Sequence, residues 1–261
     1  MIVVKFGGHA MKDENGNFAK AISAALRAGE QVVVVHGGGP QIDAALDAKG
    51  IVSTWIGGFR VTTKEIFDVV EDVLVNQVGN QVAATLGKAG IKAQAMSART
   101  LPTVIAGRRT QLIDGTPVDL GFVGNVKKVN PAALLALIDQ GIVPVVAPVS
   151  SDEDLETGLN VNADFAAAAI AAALGASSLI VMTDVAGIYR TWPDKDSLIA
   201  EISAAELELI KSGFAEGMAP KVQAALDALS FGAKAVRIID GTDPDSFASA
   251  LDGQGGTLVV A

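Results

Sequence analysis

The chain contains no cysteine, which removes disulfide frameworks, thiolate metal sites and thiol nucleophiles together. Histidine is almost as scarce: His9 and His36 are too few for a histidine-rich metal centre. Positive charge is also in short supply. The 261 residues carry a net charge of −9, and no basic run exceeds the pairs Arg108/Arg109 and Lys127/Lys128, so no nucleic-acid surface is expected. A lysine or arginine in a reaction centre stands out against that acidic background. The first residues, Met1 to Gly8, lack the basic start and long apolar stretch of a secretory signal, and the expected location is the cytoplasm. The uncharged stretch from Phe165 to Thr183 is long enough to cross a bilayer, but Gly175, Ser177 and Ser178 split it. A buried helix followed by a buried strand is the expectation, with no membrane contact.

What the chain has in quantity is apolar surface. Half its residues are hydrophobic and only 19% are charged, the balance of a globular protein rather than a disordered one. Its length admits one large α/β domain or two joined lobes. Short β-branched runs recur at Ile2 to Val4, Gln31 to Val35, Ile142 to Val146, Leu179 to Met182 and Val236 to Ile239, without strict apolar/polar alternation. Continuous runs of that kind suit parallel strands covered on both faces. Between them the spacing turns helical: Phe18, Ile22 and Leu26 share one face, and Ile66, Val69, Val70, Val73 and Leu74 form a second stripe. Strand and helix alternate from end to end, which predicts an open, mostly parallel α/β sheet. The interval from about Ile91 to Asn130 breaks this rhythm, and Asp114-Gly115 predicts a hairpin inserted at the sheet edge. The acidic stretch Ser150 to Glu156 is the best candidate for a hinge, dividing the chain into lobes 1–155 and 156–261.

Two glycine-bearing turns follow predicted strands: Lys5-Phe6-Gly7-Gly8-His9-Ala10 and His36-Gly37-Gly38-Gly39-Pro40-Gln41. Consecutive glycines let backbone N–H groups point into one small space, and a following helix adds its positive end, so both turns are anion cradles. The alternative is a tight strand-to-helix connection and nothing more. A P-loop is absent, because Gly87-Lys88 is followed by alanine, and no G-x-G-x-x-G occurs at the early strands. Lys5 ends the first strand, where an ammonium can reach a phosphate. Gly217-Met218-Ala219-Pro220-Lys221 places a second lysine at a helix start, where the dipole opposes a cation and a negative partner is required. N-capping accounts for one of Asn160, Asn162 and Asp164 ahead of the alanine-rich helix, but not for all three. Arg60 stands just before a helix capped by Thr62 or Thr63; it is either a carboxylate clamp or the partner of a surface acid such as Glu65.

Taken together, these motifs resemble the amino-acid kinase family, and within it the branch that phosphorylates N-acetylglutamate in arginine biosynthesis. The likeness runs from Lys5-Phe6-Gly7-Gly8 through Gly58-Phe59-Arg60-Val61-Thr62, Asn160-Val161-Asn162-Ala163-Asp164 and Thr183-Asp184-Val185-Ala186-Gly187 to Gly217-Met218-Ala219-Pro220-Lys221. The resemblance implies a three-layer αβα sandwich around a mostly parallel open sheet, with an acceptor-binding N-terminal lobe and a nucleotide-binding C-terminal lobe. It implies that Lys5 and Lys221 neutralise the transferring phosphoryl group, that Asp164 holds both lysines, and that Gly7, Gly8, Gly38 and Gly39 supply backbone N–H groups. Arg60 and Asn160 would grip the acceptor. Asp184, Tyr189, Gly217, Met218 and Lys221 would line the nucleotide pocket. ATP is then the co-substrate, Mg²⁺ arrives with it and not on a protein-held metal site, and the product is an acyl phosphate. A homodimer built on the Glu65 to Leu86 helix is implied as well, although the apolar stripe of that helix serves equally as intramolecular core.

The chain departs from the family pattern at two places. Histidine stands at position 9, where asparagine is usual, and Ala95-Met96-Ser97-Ala98-Arg99-Thr100 replaces a glycine-flanked Ser/Thr with a following acid. These departures keep two other readings open: a kinase for an aminoadipate derivative of lysine biosynthesis, and a catalytically silent ligand-binding paralogue.

Overall fold

The β-branched runs form the middle of an eight-stranded sheet whose two faces are both covered by helices. The computed structural model describes residues 1–7, 16–99, 101–214 and 217–261. In chain order the strands are β1 (Ile2–Phe6), β2 (Val32–His36), β3 (Trp55–Ile56), β4 (Phe59–Arg60), β5 (Ala93–Ser97), β6 (Val104–Arg108), β7 (Val123–Val129), β8 (Val143–Ala147), β9 (Val149–Ser151), β10 (Gly158–Val161), β11 (Ser178–Thr183), β12 (Glu201–Ser203), β13 (Ala235–Asp240) and β14 (Thr257–Val260). The helices are α1 (Asn17–Arg27), α2 (Gly39–Ala48), α3 (Lys64–Glu71), α4 (Gly79–Lys88), α5 (Ala132–Ile138), α6 (Ala163–Ala173), α7 (Ala204–Ile210), α8 (Ala219–Ser230) and α9 (Ser246–Leu251).

The main sheet runs β12-β14-β13-β11-β1-β2-β8-β5, parallel except for the β13/β14 pair. Successive residues of a strand point to opposite faces. Val3, Val33, Val35 and Val181 therefore enter one core, closed by α5, α6, α7 and α8. Val4, Val32, Val34 and Ile180 enter a second core, closed by α1, α2, α3, α4 and α9. Burial on both faces is why these strands show no alternation in sequence, and it makes the fold the expected αβα sandwich. The strand order also separates the halves of the chain. β5, β8, β2 and β1 come from residues 2–147, and β11, β13, β14 and β12 from residues 178–260, with β1 and β11 adjacent at the centre.

Three stretches take a more specific form. The acidic stretch Ser150 to Glu156 is built as part of a hairpin: β9 and β10 pair antiparallel, and 152–157 is the turn between them, held by Asp154 Oδ1 accepting from the Glu156 and Thr157 amides. These two strands close a small barrel with β6 and β7. The Asp114-Gly115 hairpin exists, with Leu112 donating to Thr116 and Val118 to Thr110, but it extends the β6–β7 connection of that barrel instead of lying at an edge of the main sheet. The single helix expected from Glu65 to Leu86 is interrupted by a π-helical turn over Asp72–Val78. Gly79 follows it at a close approach to β2, where a Cβ would stand 3.1 Å from His36 Nε2 and 3.2 Å from the Leu74 carbonyl oxygen. The stripe Ile66, Val69, Val70, Val73 and Leu74 is buried within this chain. Each such side chain contributes roughly 1.5–3 kcal/mol when fully buried, so the stripe is core and is not available to a partner.

Candidate active site

Parallel pairing of β1 with β2 sets Phe6 opposite His36, so the two glycine turns leave the sheet side by side at its carboxyl edge. The Gly37 amide donates to the Phe6 carbonyl at 2.8 Å. A Cβ on Gly7 would stand 3.3 Å from Lys5 Nζ and 3.5 Å from Gly37 Cα, so the absence of a side chain lets Lys5 fold over its own turn. From β1 the chain passes to β2 on one side of it and later to β11 on the other. The crevice outside such a switch point is where open α/β sheets bind ligands. The second turn feeds α2, with Pro40 in its first turn and its positive end at the same edge.

The N-terminus of α6 divides three polar residues among three tasks. Asn162 is the cap: its side chain accepts from the Asp164 amide at 2.8 Å. That leaves the Asp164 carboxylate free, although its side chain is only 4% exposed. Lys5 Nζ lies 3.0 Å from Oδ1, and Lys221 Nζ, from the first turn of α8, lies 3.3 Å from Oδ2. Lys5 also donates to the Met182 carbonyl at 3.3 Å and Lys221 to the Gly217 carbonyl at 3.4 Å. Burial pushes the Asp164 pKa up, but the charges of Lys5 and Lys221 outweigh it and hold the group at about 2. Two ammonium groups and one ionised carboxylate leave one positive charge at the crevice. The third residue, Asn160, donates from Nδ2 to Thr62 Oγ1 at 3.1 Å. The α3 cap is Thr63, which accepts from the Ile66 amide. Thr62 is thereby free to orient Asn160 and to donate to the Arg60 carbonyl.

Arg60 is 4% exposed. Its acid partner is Asp43 on α2, 2.7 Å from Nη1, and not Glu65; Ser53 Oγ accepts from the same nitrogen, and the Trp55 ring lies 4.5 Å from the guanidinium carbon. Nη2 is buried and has no hydrogen-bond partner among the described residues. A cavity of about 160 Å³ is lined by Gly37, Gly38, Gly39, Trp55, Arg60 and Asn160 among others. That is well below the ~300 Å³ at which drug-sized sites begin, so the occupant is small. Among the described residues, none of 95–99 lines it. Ser97 and Arg99 instead border a separate surface pocket with Asp68, Glu71 and Asp72, where Arg99 pairs with Glu71 at 2.9 Å.

Of the remaining expected site residues, Asp184 is exposed immediately after β11, and Gly217 and Met218 precede α8. Tyr189 is half-buried and meets Trp192 edge-on at 5.3 Å. Gly8, His9 and Thr100 lie outside the described residues. The structure therefore brings Lys5, Asp164 and Lys221 into contact and gathers Arg60, Asn160 and the second glycine turn round one cavity. Asp43, Ser53, Trp55 and Thr62 were not anticipated. Gly57-Gly58 between Trp55-Ile56 and Phe59-Arg60 is a hairpin signal that would have set Trp55 opposite Arg60.

An αβα sheet with a buried carboxylate joining two ammonium groups beside the glycine turns suits an anionic ligand, and its relatives make the chain an α/β phosphotransferase. Residues 1–240 match the profile of the Amino acid kinase family, and the chain belongs to that family. It is 45% identical to an acetylglutamate kinase of Streptomyces clavuligerus over 263 residues, covering 99% of this chain and 87% of the relative. An acetylglutamate kinase of Leifsonia xyli subsp. xyli is 47% identical over 245 residues, covering 92% and 81%. The fold superposes on a crystal structure of a Streptococcus mutans protein with TM-score 0.83 and 29% identity, over 100% of this chain and 98% of that one.

Proposed function

We propose that the chain is an acetylglutamate kinase, transferring the γ-phosphoryl group of ATP to the side-chain carboxylate of N-acetyl-L-glutamate in arginine biosynthesis. The observation that carries this reading is Arg60, which lines a small cavity with the second glycine turn and Asn160 and whose buried Nη2 has no hydrogen-bond partner among the described residues. A guanidinium with hydrogen-bonding capacity still unused suits the acceptor's α-carboxylate. Asn160 suits its acetylated amine.

In the reaction, a side-chain carboxylate oxygen of the acceptor attacks the γ-phosphorus. The new O–P bond forms as the bond to the bridging oxygen breaks, and ADP leaves with that electron pair. The acceptor is already ionised at neutral pH, so no general base is needed. The protein's part is positioning and charge neutralisation. In this reading Lys5, Lys221 and the amides of Gly7, Gly8, Gly38 and Gly39 meet the phosphoryl oxygens, while Asp164 holds the two ammonium groups in register. Asp184, Tyr189, Gly217 and Met218 take the nucleotide. Mg²⁺ carried by the nucleotide's phosphates would supply further neutralisation beside Lys5 and Lys221. The acceptor side is assigned to the N-terminal lobe, 1–155, with Asn160 joining it from just beyond that boundary, and the nucleotide side to 156–261. A cytoplasmic homodimer completes the reading, its contact lying elsewhere than on the buried 66–74 stripe. No helix among the described residues is long and apolar enough to cross a membrane.

The test is ATP-dependent trapping of the acyl phosphate with hydroxylamine, run with N-acetylglutamate and N-acetylaminoadipate side by side. Hydroxamate from N-acetylglutamate in clear excess is the expected result. Preference for the longer acceptor, or ligand binding with no ADP release, would replace this reading with the aminoadipate kinase or the silent paralogue.

A further inference from the structure

We propose that Arg109 is a positioning residue that sets the acceptor subsite against the paired lysines; this rests on the kinase reading above. Arg109 follows β6, and its backbone amide donates to the Val123 carbonyl of β7 at 2.8 Å. Its guanidinium carbon lies 4.4 Å from the Phe59 ring centroid and 5.1 Å from that of Phe165. The two rings stack, with centroids 6.1 Å apart and planes 14° from parallel. Phe59 is the residue before Arg60 on β4, and Phe165 is the residue after Asp164 on α6. One planar cation therefore clamps the immediate neighbours of the acceptor anchor and of the lysine-bridging carboxylate.

The edge of the same guanidinium is held in place. Nη2 donates to Asn125 Oδ1 at 3.0 Å and Nη1 to the Gln111 carbonyl at 3.2 Å. Asp227 of α8, the helix that carries Lys221, lies within electrostatic reach of it. β4, α6 and α8 thus all bear on one side chain that touches none of the reacting groups. The geometry calls for arginine: its plane stacks on ring faces while its N–H groups donate sideways, which a lysine ammonium cannot do. Arg108 next to it offers a natural control. It stacks on Phe122 at 4.3 Å and donates to the Gly121 carbonyl from an exposed position, touching neither Phe59 nor Phe165.

A transfer that relies on positioning can lose about 10²-fold in rate when a reacting group moves by ~1 Å. Kinetics of the full-length wild type, Arg109→Met, Arg109→Lys and Arg108→Met, with KM measured for N-acetylglutamate and ATP and thermal melting in parallel, test the proposal. Arg109→Met is expected to lower kcat by ~10- to 10²-fold with each KM within about threefold of wild type. Arg109→Lys, which keeps charge but not plane, should recover only part of that loss, and Arg108→Met should stay within about twofold of wild type. An unchanged kcat in both Arg109 variants, or a loss confined to KM, overturns the proposal while leaving the kinase reading intact. Should Arg109→Met fail to fold, Arg109→Lys decides: full wild-type kcat rejects the positioning role. A wild type that forms no acyl phosphate overturns both readings.

Discussion

Lys5 and Lys221 grip opposite oxygens of one buried carboxylate, at 3.0 Å and 3.3 Å from Asp164. Residues from the two ends of the chain are thereby fixed at one point of the sheet edge, beside both glycine turns. Replacing either lysine by alanine is expected to lower kcat by ~10²- to 10³-fold, the scale seen when one stabilising donor is lost. The stability effects should differ. Lys5 is 9% exposed and Lys221 18%, so removing Lys5 leaves the carboxylate with less compensation for its burial. Steady-state kinetics and urea midpoints on both variants check the pair: similar kcat losses, with Lys5→Ala the less stable.

The Asp164 carboxyl, held at about 2 in the folded chain against 3.8 ordinarily, links stability to acid. A depressed carboxyl contributes stability above its unfolded pKa and loses it as pH falls through the folded value. The contribution should be complete above about pH 4 and vanish toward pH 2. Breaking a buried pair costs ~3 kcal/mol or more, so Asp164→Asn should be less stable by that order at neutral pH. Urea unfolding of both proteins at pH 7, 4, 3 and 2 should show the difference shrinking across the lower two values. An equal difference at pH 7 and pH 2 would refute the linkage.

What could be read beforehand follows from where residues sit. The strands β1, β2, β8, β11 and β13 were legible to within a residue or two because a parallel strand covered on both faces must be apolar throughout. β7 was not: Lys127 and Lys128 are both exposed, at a register shift against β6, and such a strand resembles a loop. The π turn at Asp72–Val78 has no pattern in residue type, because the apolar stripe that runs into it reads the same as in an uninterrupted helix. At the site, Lys5, Lys221 and Arg60 stood out as cations near glycines in an acidic chain, and Asn160, Asn162 and Asp164 as polar residues that capping could not all explain; their separate roles came from the family resemblance. Asp43 did not, since nothing local ties an acid on α2 to an arginine on β4. The acidic stretch Ser150 to Glu156 did not announce its hairpin, for a run of acids and small polar residues has no strand-like pattern of its own.

The two central glycines of the second turn should respond differently to alanine. At Gly38 a Cβ would stand 2.5 Å from Leu74 Cδ2, and Leu74 is itself buried. The backbone there is extended, with φ 167°, so the conflict is steric and not conformational. Gly38→Ala should cost ~1–3 kcal/mol, the range for overpacking a filled core. At Gly39 nothing lies within 4 Å of such a Cβ. Gly39→Ala should leave stability unchanged or raise it by ~0.5–1 kcal/mol, because alanine is the better helix former. Thermal melts of the two variants make the comparison directly.

Arg60 is divided between structure and ligand. Nη1 is engaged by Asp43 and Ser53, whereas Nη2 has no hydrogen-bond partner among the described residues. Arg60→Lys keeps the charge but loses the second edge and the stack on Trp55. The charge-assisted hydrogen bonds at stake are worth ~1.5–3 kcal/mol, so the acceptor's KM should rise ~10- to 10²-fold while that of ATP changes little. Equal rises in both KM values would mean that Arg60 supports the whole crevice and does not hold the acceptor.

His36 gives the chain a second pH dependence, of different origin. Its ring is fully buried at the end of β2; Nδ1–H donates to the Gly37 carbonyl at 2.8 Å, and Nε2 has no partner among the described residues. A second proton would place a charge and an unsatisfied N–H in the core, and burial accordingly lowers the pKa from 6.5 to about 4, only partly opposed by the Gly37 hydrogen bond. Above pH 6.5 the ring is neutral in both states and contributes no pH dependence. Between 6.5 and 4 the unfolded chain binds the proton and the folded one does not, so stability falls as pH falls, by roughly 3 kcal/mol in all. Below pH 4 both states are protonated and this slope ends. The window lies above that of Asp164, and the two can be separated in one series of urea titrations. His36→Gln should flatten the dependence between pH 6.5 and 4 and leave the loss below pH 4 in place. A variant that keeps the wild-type slope above pH 4 would show that another group titrates there.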